Sequence, residues 1–335
     1  MKTKYLVPGI ILLSLASFSY FPTFPYILFS TSIDDTTLVE NYDAPPLSCT
    51  IISQAIGDTV LFGNNEDYLL WGTYMWFHPG YSGEYGAVYF GFKYNDDPAD
   101  GYAQGGMNTE GLSCDGNGLP EAPLNPHPEK PRMPGPFMQS VLEDCATVNE
   151  TIAWCKIYDF GSSLSGQVHF ADAYGDSVVV SAGPDQELAF TRKNNTNYLV
   201  STNINLADPK RNPHSCWRYD TAVSMLEDIK NENDLTLEAF RDILDAVHIE
   251  GTSATKYSNV FDLKTQEIYV YYNHDFSEYV KLNLTEELGK GTHEYRISDL
   301  FSPTSISLST NFLTIEVLLI SVIISTVLWR RQKKK

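Results

Sequence analysis

Cys49 stands where the texture of the chain changes. Residues 34–48 are polar and end in Pro45-Pro46-Leu47-Ser48, whereas Thr50-Ile51-Ile52-Ser53-Gln54 reads as a strand. Gly57-Asp58-Thr59 then turns the chain into a second apolar run ending in Phe62-Gly63-Asn64-Asn65-Glu66-Asp67, so a hairpin returns Asp67 to the neighbourhood of Cys49. A thiol at the head of a strand, with a carboxylate beside it, suits nucleophilic attack on an amide. If the Ser48–Cys49 bond is cut, the new α-amino group, titrating near neutrality, is a base for its own thiol, and Asp67 orients that amine. Amide cleavage further requires donors for the tetrahedral oxyanion and a proton for the leaving amine. Singly, each residue has a plainer use. Cys49 is a small hydrophobe, Asn64, Asn65 and Asp67 are loop formers, Asn117 lies between two glycines, Asn203 suits a cap, and Arg218 suits a salt bridge in a first helical turn.

The order of the motifs carries more than any one of them. Cys49-Thr50 with the Leu61–Tyr68 run, then Gly106-Met107-Asn108-Thr109-Glu110-Gly111-Leu112, Asp115-Gly116-Asn117, Ser201-Thr202-Asn203, Trp217-Arg218-Tyr219 and residues 257–272 resemble the choloylglycine hydrolase and penicillin V acylase family of N-terminal-nucleophile hydrolases. They are similar too to its isopenicillin-N acyltransferase-like relatives. The resemblance runs from Cys49 to about residue 285. It implies an α+β fold, a four-layer αββα sandwich with mainly antiparallel sheets, hydrolysing linear amide C–N bonds without a cofactor or a metal. It makes Cys49 the nucleophile, its freed amine the base, and Asp67 the group that holds the amine. Asn117 and the backbone N–H of the second residue match the oxyanion hole, Asn203 a second polar support, and Arg218 the late arginine. Where bile-salt hydrolases carry an arginine beside the nucleophile this chain has Asn64, a candidate substrate contact, which points away from bile salts and toward a small N-acyl amide or peptide-like substrate. An acyltransferase, a dipeptidase of a related branch, and a catalytically inert surface-binding module on the same scaffold stay open as alternatives.

What is missing agrees with thiol chemistry. No phosphate-binding Gly-rich loop, dinucleotide fingerprint, His-Glu-x-x-His or Gly-x-Ser-x-Gly elbow occurs, and the seven histidines are scattered without ligand spacing.

These residues need elements to hold them. Beyond the first hairpin, strand patterns occur at 86–94, 168–174, 177–183, 187–193, 197–203, 257–263 and 267–273, and helical periodicity at 135–157, 217–231 and 236–248. The first helical stretch reads as two helices interrupted at Asn149. Strands flank helical pairs without βαβ alternation, which favours layered antiparallel sheets. Residues 68–85 and 120–134 read as loops that shape the pocket. With Cys49 free, Cys145–Cys155 and Cys114–Cys216 form one of three possible pairings, and four buried thiols are the alternative.

The ends have another character. Residues 1–33, with Lys2 and Lys4 before an apolar stretch, read as a signal peptide or signal anchor, and 34–48 as a linker or propeptide. After the domain at 49–301, residues 302–311 form a Ser/Thr-rich stalk, 312–329 an apolar run long enough to span a bilayer, and 330–335 a basic tail that belongs in the cytoplasm. The expected location is therefore the cell membrane, with the catalytic domain outside. The Asn149, Asn194 and Asn283 glycosylation triplets suit that side. Of the net charge of −19, residues 49–311 hold 16 cations against 37 carboxylates, a net of −21, which excludes a nucleic-acid partner and leaves a small molecule and the membrane.

Overall fold

The computed structural model describes residues 49–68, 72–93, 101–212 and 214–301. The expected leader (1–33), linker (34–48), stalk (302–311), membrane span (312–329) and tail (330–335) lie outside the described residues, among which no helix is long and apolar enough to cross a membrane. In chain order the elements are β1 (Thr50–Ile56), β2 (Thr59–Asp67), β3 (Thr73–His78), β4 (Ala87–Lys93), β5 (Gly101–Asn108), β6 (Ser113–Pro123), α1 (Phe137–Asp144), α2 (Val148–Ile157) and β7 (Ser163–Ala171). They continue with β8 (Ser177–Ala182), β9 (Leu188–Arg192), β10 (Tyr198–Ser201), α3 (Trp217–Asp228), α4 (Leu237–Ala246), β11 (Thr255–Asp262), β12 (Glu267–Tyr272) and β13 (Asp275–Asn283). Short α5 (Leu284–Leu288), β14 (His293–Arg296) and α6 (Ile297–Leu300) close the domain.

The strands form two antiparallel sheets, one of six in the order β10-β1-β2-β11-β12-β13 and one of eight in the order β14-β3-β4-β5-β6-β7-β8-β9. Three apolar clusters define the layers. Ile52, Leu61 and Val260 meet Leu226, Phe240 and Leu244 of α3 and α4 on one side of the six-stranded sheet. Ile51, Phe62 and Phe261 meet Val88, Phe90 and Met107 between the sheets. Cys114, Val168 and Phe170 of the eight-stranded sheet meet Val141, Leu142 and Trp154 of α1 and α2. The result is an α+β sandwich of helix, sheet, sheet and helix layers. Because β2 is covered on both faces, polar residues there are buried as fully as apolar ones.

Several sequence expectations are corrected. The break in the first helical stretch falls at Cys145–Thr147, and Asn149 lies within α2. Thr147 caps that helix by accepting the Glu150 N–H at 3.2 Å, while the Glu150 carboxylate accepts the Ala146 N–H at 2.6 Å. Residues 73–78, expected in a loop, pair with β4 and β14 as β3, and β6 runs on to Pro123. All five cysteines are free thiols. Cys114 packs under α1 on the outer face of one sheet while Cys216 precedes α3 on the outer face of the other, so that pairing is excluded by the layering. Cys145 and Cys155 share the α1–α2 cluster as buried thiols, and burial pushes the Cys145 thiol up to about 12.

Candidate active site

The first hairpin turns on Gly57, held at φ +60° where a side chain would be strained, and Asp58. A two-residue turn fixes the register, with Ile56 opposite Thr59 and Thr50 opposite Asn65. One further step sets Cys49 opposite Glu66. Cys49 is 3 % exposed. Its thiol lies beside the Glu66 carboxyl group and the Asp67 backbone N–H, both close enough to act on it.

The Cys49 carbonyl is held from two further elements. Arg218, in the first turn of α3, donates Nη1–H to it at 2.7 Å and to Thr50 Oγ1 at 2.9 Å, and Asn117 of β6 donates Nδ2–H to it at 3.3 Å. Arg218 also donates Nη2–H to Asn203 Oδ1 at 3.0 Å, and Asn203, just beyond β10, donates to the Gly118 carbonyl at 2.9 Å. Gln167 of β7 steadies the segment after β10 by donating to the Thr202 and Ile204 carbonyls at 2.7 and 2.9 Å. Arg218 is 6 % exposed, so it is a buried clamp and not a surface ion pair. Asp67 ends β2 with Oδ1 accepting the Thr255 hydroxyl and Oδ2 buried without a partner.

Cys49, Asp67, Asn117, Asn203 and Arg218, spread over 169 positions of sequence between Cys49 and Arg218, are thus brought to one end of the sandwich. Asn64 sits two ladder steps deeper on the same face, opposite Ile51 and Asn259, with both amide atoms buried and unpartnered. The residue facing the thiol is Glu66. Sequence reasoning passed over it, although alternation along a hairpin of that turn length places Glu66 on the Cys49 face. Gln104, which donates to Glu66 Oε1, and Asp115, whose Oδ1 accepts the Gly116 N–H at 2.7 Å, were also missed, because the pairing of β5 and β6 near the hairpin is a tertiary event.

The electrostatics follow from burial and like charge. Burial pushes the Cys49 thiol well up, and Glu66 and Asp67 push it further. Burial, then Asp115 and Asp67, hold the Glu66 carboxyl far above the usual range, and burial does the same for Asp115. Asp67 is raised to about 8, by burial, against the Thr255 hydrogen bond and the charges of Arg218 and Lys256. Burial and the neighbouring carboxyl groups thus favour the protonated thiol at Cys49. Among the described residues no group of three His, Cys, Asp or Glu side chains is arranged to hold a metal ion.

No protein-family model matches the chain, and no curated protein matches it in sequence. Solved structures do. Two variants of conjugated bile acid hydrolase from Clostridium perfringens superpose with TM-scores of 0.59 and 0.58 at 17 % and 18 % identity, each over 74 % of this chain and over 96 % and 97 % of their own. Penicillin V acylase from Agrobacterium tumefaciens superposes with a TM-score of 0.56 at 17 % identity, over 71 % of this chain and 86 % of its own. The chain has the α+β fold of conjugated bile acid hydrolase and penicillin V acylase.

Proposed function

We propose that the protein is a cysteine amidase that hydrolyses linear C–N amide bonds of an N-acyl substrate through a thioester, with Cys49 as N-terminal nucleophile. The observation that carries this reading is the double clamp on the Cys49 carbonyl by Arg218 and Asn117, which holds the thiol at the head of β1. After cleavage of Ser48–Cys49 the free α-amine takes the thiol proton, and the thiolate attacks the substrate carbonyl. Asn117 Nδ2–H stabilises the oxyanion, the amine returns its proton to the leaving nitrogen, and water releases the acyl group by the same steps in reverse. Asp67, with one carboxylate oxygen unpartnered, orients the amine. Arg218 and Asn203 act on the nucleophile's backbone as positioning residues. The domain is exported and tethered by residues 312–329, a reading supported by the basic-apolar leader and by the cations after that run.

N-terminal sequencing of the membrane fraction, with a panel of N-acyl amides, tests all of this. A mature chain beginning at Cys49, retained by membranes after alkaline extraction, and abolition of turnover in Cys49→Ala are expected. Full turnover by a chain beginning elsewhere defeats the free-amine mechanism, turnover by Cys49→Ala defeats the nucleophile, and release at alkaline pH defeats the anchor.

A further inference from the structure

The face of β2 that looks toward the second sheet carries a polar row where an apolar one would pack. Cys49, Glu66 and Tyr257 share one row of the ladder, and Ile51, Asn64 and Asn259 the next row on the same face, two residues on. All four polar side chains besides the thiol are at most 1 % exposed. Their unsatisfied atoms are of both kinds, since Asn64 and Asn259 lack partners at the amide nitrogens as well as at the oxygens. Glu66 Oε2, Asn64 Oδ1, Asn259 Oδ1 and the Tyr257 hydroxyl have no hydrogen-bond partner. Neither does Gln104 Oε1, since Gln104 gives its N–H to Glu66 Oε1. Asn64 and Asn259 face each other across the ladder, so their amide N–H groups can be turned to one another's oxygens, whereas Glu66 and Gln104 each keep one oxygen unpartnered, and the single Tyr257 hydroxyl in the Glu66 row can donate to only one of them. Asp115 lies behind Glu66 close enough to act on it, which puts two carboxyl groups beside the thiol. Arg218 and Lys256 stand against Asp67 instead.

The geometry points to an ammonium-binding subsite at Cys49, in which Glu66 and Gln104, backed by Asp115, receive a primary ammonium group of the substrate lying a few bonds from the scissile amide. This rests on Cys49 being the nucleophile and names the class of substrate it acts on: an amide carrying an amino group next to the bond that is cut. One ammonium offers three donors and a positive charge to oxygens that the Tyr257 hydroxyl alone cannot satisfy, and because Glu66 faces Cys49 across the ladder the distance to the reacting carbonyl is short. An alkyl acyl chain at the same place leaves these oxygens buried and unpaired, and a carboxylate meets two like groups.

The test compares 3-aminopropanoyl and butanoyl p-nitroanilide, which differ only by a terminal ammonium in place of a methyl group. N-butanoyl-1,2-diaminoethane against N-butanoyl-propylamine places the same difference on the amine half. The purified full chain is expected to prefer the ammonium member of one pair in kcat/KM by about a hundredfold. Glu66→Gln is expected to shrink that ratio at least about tenfold, and Asp115→Asn to shrink it less. Equal turnover within both pairs, or a ratio unchanged in Glu66→Gln, overturns the subsite. The unchanged ratio is also the outcome if Glu66 serves only the Cys49 amine. If no amide is cleaved, it is the nucleophile reading that fails, and the subsite is then read by calorimetric titration of Cys49→Ala with propylammonium and with propanol. Binding of the ammonium alone, lost on adding Glu66→Gln, supports the subsite, and no ammonium binding, or binding that survives Glu66→Gln, overturns it.

Discussion

Arg218 reaches three acceptors with two nitrogens: the Cys49 carbonyl, Thr50 Oγ1 and Asn203 Oδ1. A planar fork does this and a lysine ammonium on a flexible stem does not. Arg218→Lys is therefore expected to lower kcat by about 10- to 100-fold while KM changes little, because the nucleophile is misplaced and the pocket is not. Steady-state kinetics on one anilide separate the two parameters, and a rise in KM at constant kcat would assign Arg218 to substrate binding instead. At this scale the sequence was informative about polar residues whose partners are near in sequence. Asp67 follows from the hairpin, and Glu66 was within reach of the same register. Asn117, Asn203 and Arg218 entered through the order of motifs, and only the folded chain shows that their shared task is the Cys49 backbone. His169 illustrates the reverse. It bonds Ser53 at 2.9 Å and Ser201 at 3.1 Å in the core, an ordinary buried histidine, and burial lowers its pKa to about 3.

The elements read best from the sequence are those with a regular apolar pattern, such as β8 and the alternating β12, and the amphipathic α3 and α4. One element it concealed, β5, is rich in glycine. β5 holds Gly105 and Gly106, where an added Cβ would stand 2.3 Å from the Asp115 carboxylate and 2.2 Å from the Val88 carbonyl, so the close approach of neighbouring strands demands the residue that local propensity reads as a turn. On the other side of the hairpin α4 presses on Gly63, where an added Cβ would meet Phe240 and Leu244 at 3.3 Å. Phe240 is fully buried. Phe240→Ala is expected to cost about 3–5 kcal/mol, read as a fall in the urea midpoint at unchanged m-value. A loss well under about 1 kcal/mol would mean that α4 does not brace β2.

Across the whole molecule, burial of carboxyl groups gives stability an unusual dependence on pH. Asp67 titrates at about 8 when folded, against about 4 for an unfolded aspartate, and Glu66 and Asp115 are displaced in the same direction. Between those values the folded state keeps protons that the unfolded chain has released. The contribution of these groups is thus present in full below pH about 4 and is lost as pH rises toward about 8. The urea midpoint is expected to fall from pH about 5 to pH about 8 at constant ionic strength, and Asp67→Asn to flatten that fall. A midpoint that rises through the window in the wild-type chain would show that these carboxyls are charged and paired when folded. By itself the sequence determined the layered α+β class, the hairpin that joins Cys49 to Asp67, and the excess of acid, because alternation, turn chemistry and charge are local or additive properties. The tertiary structure alone decided that Gln104 and Asp115 gather around Glu66, that Arg218 is buried, and that no cysteines pair. Those facts depend on which strands lie side by side and which layer a residue enters, and strand pairing over more than a hundred residues leaves no periodic mark on the chain.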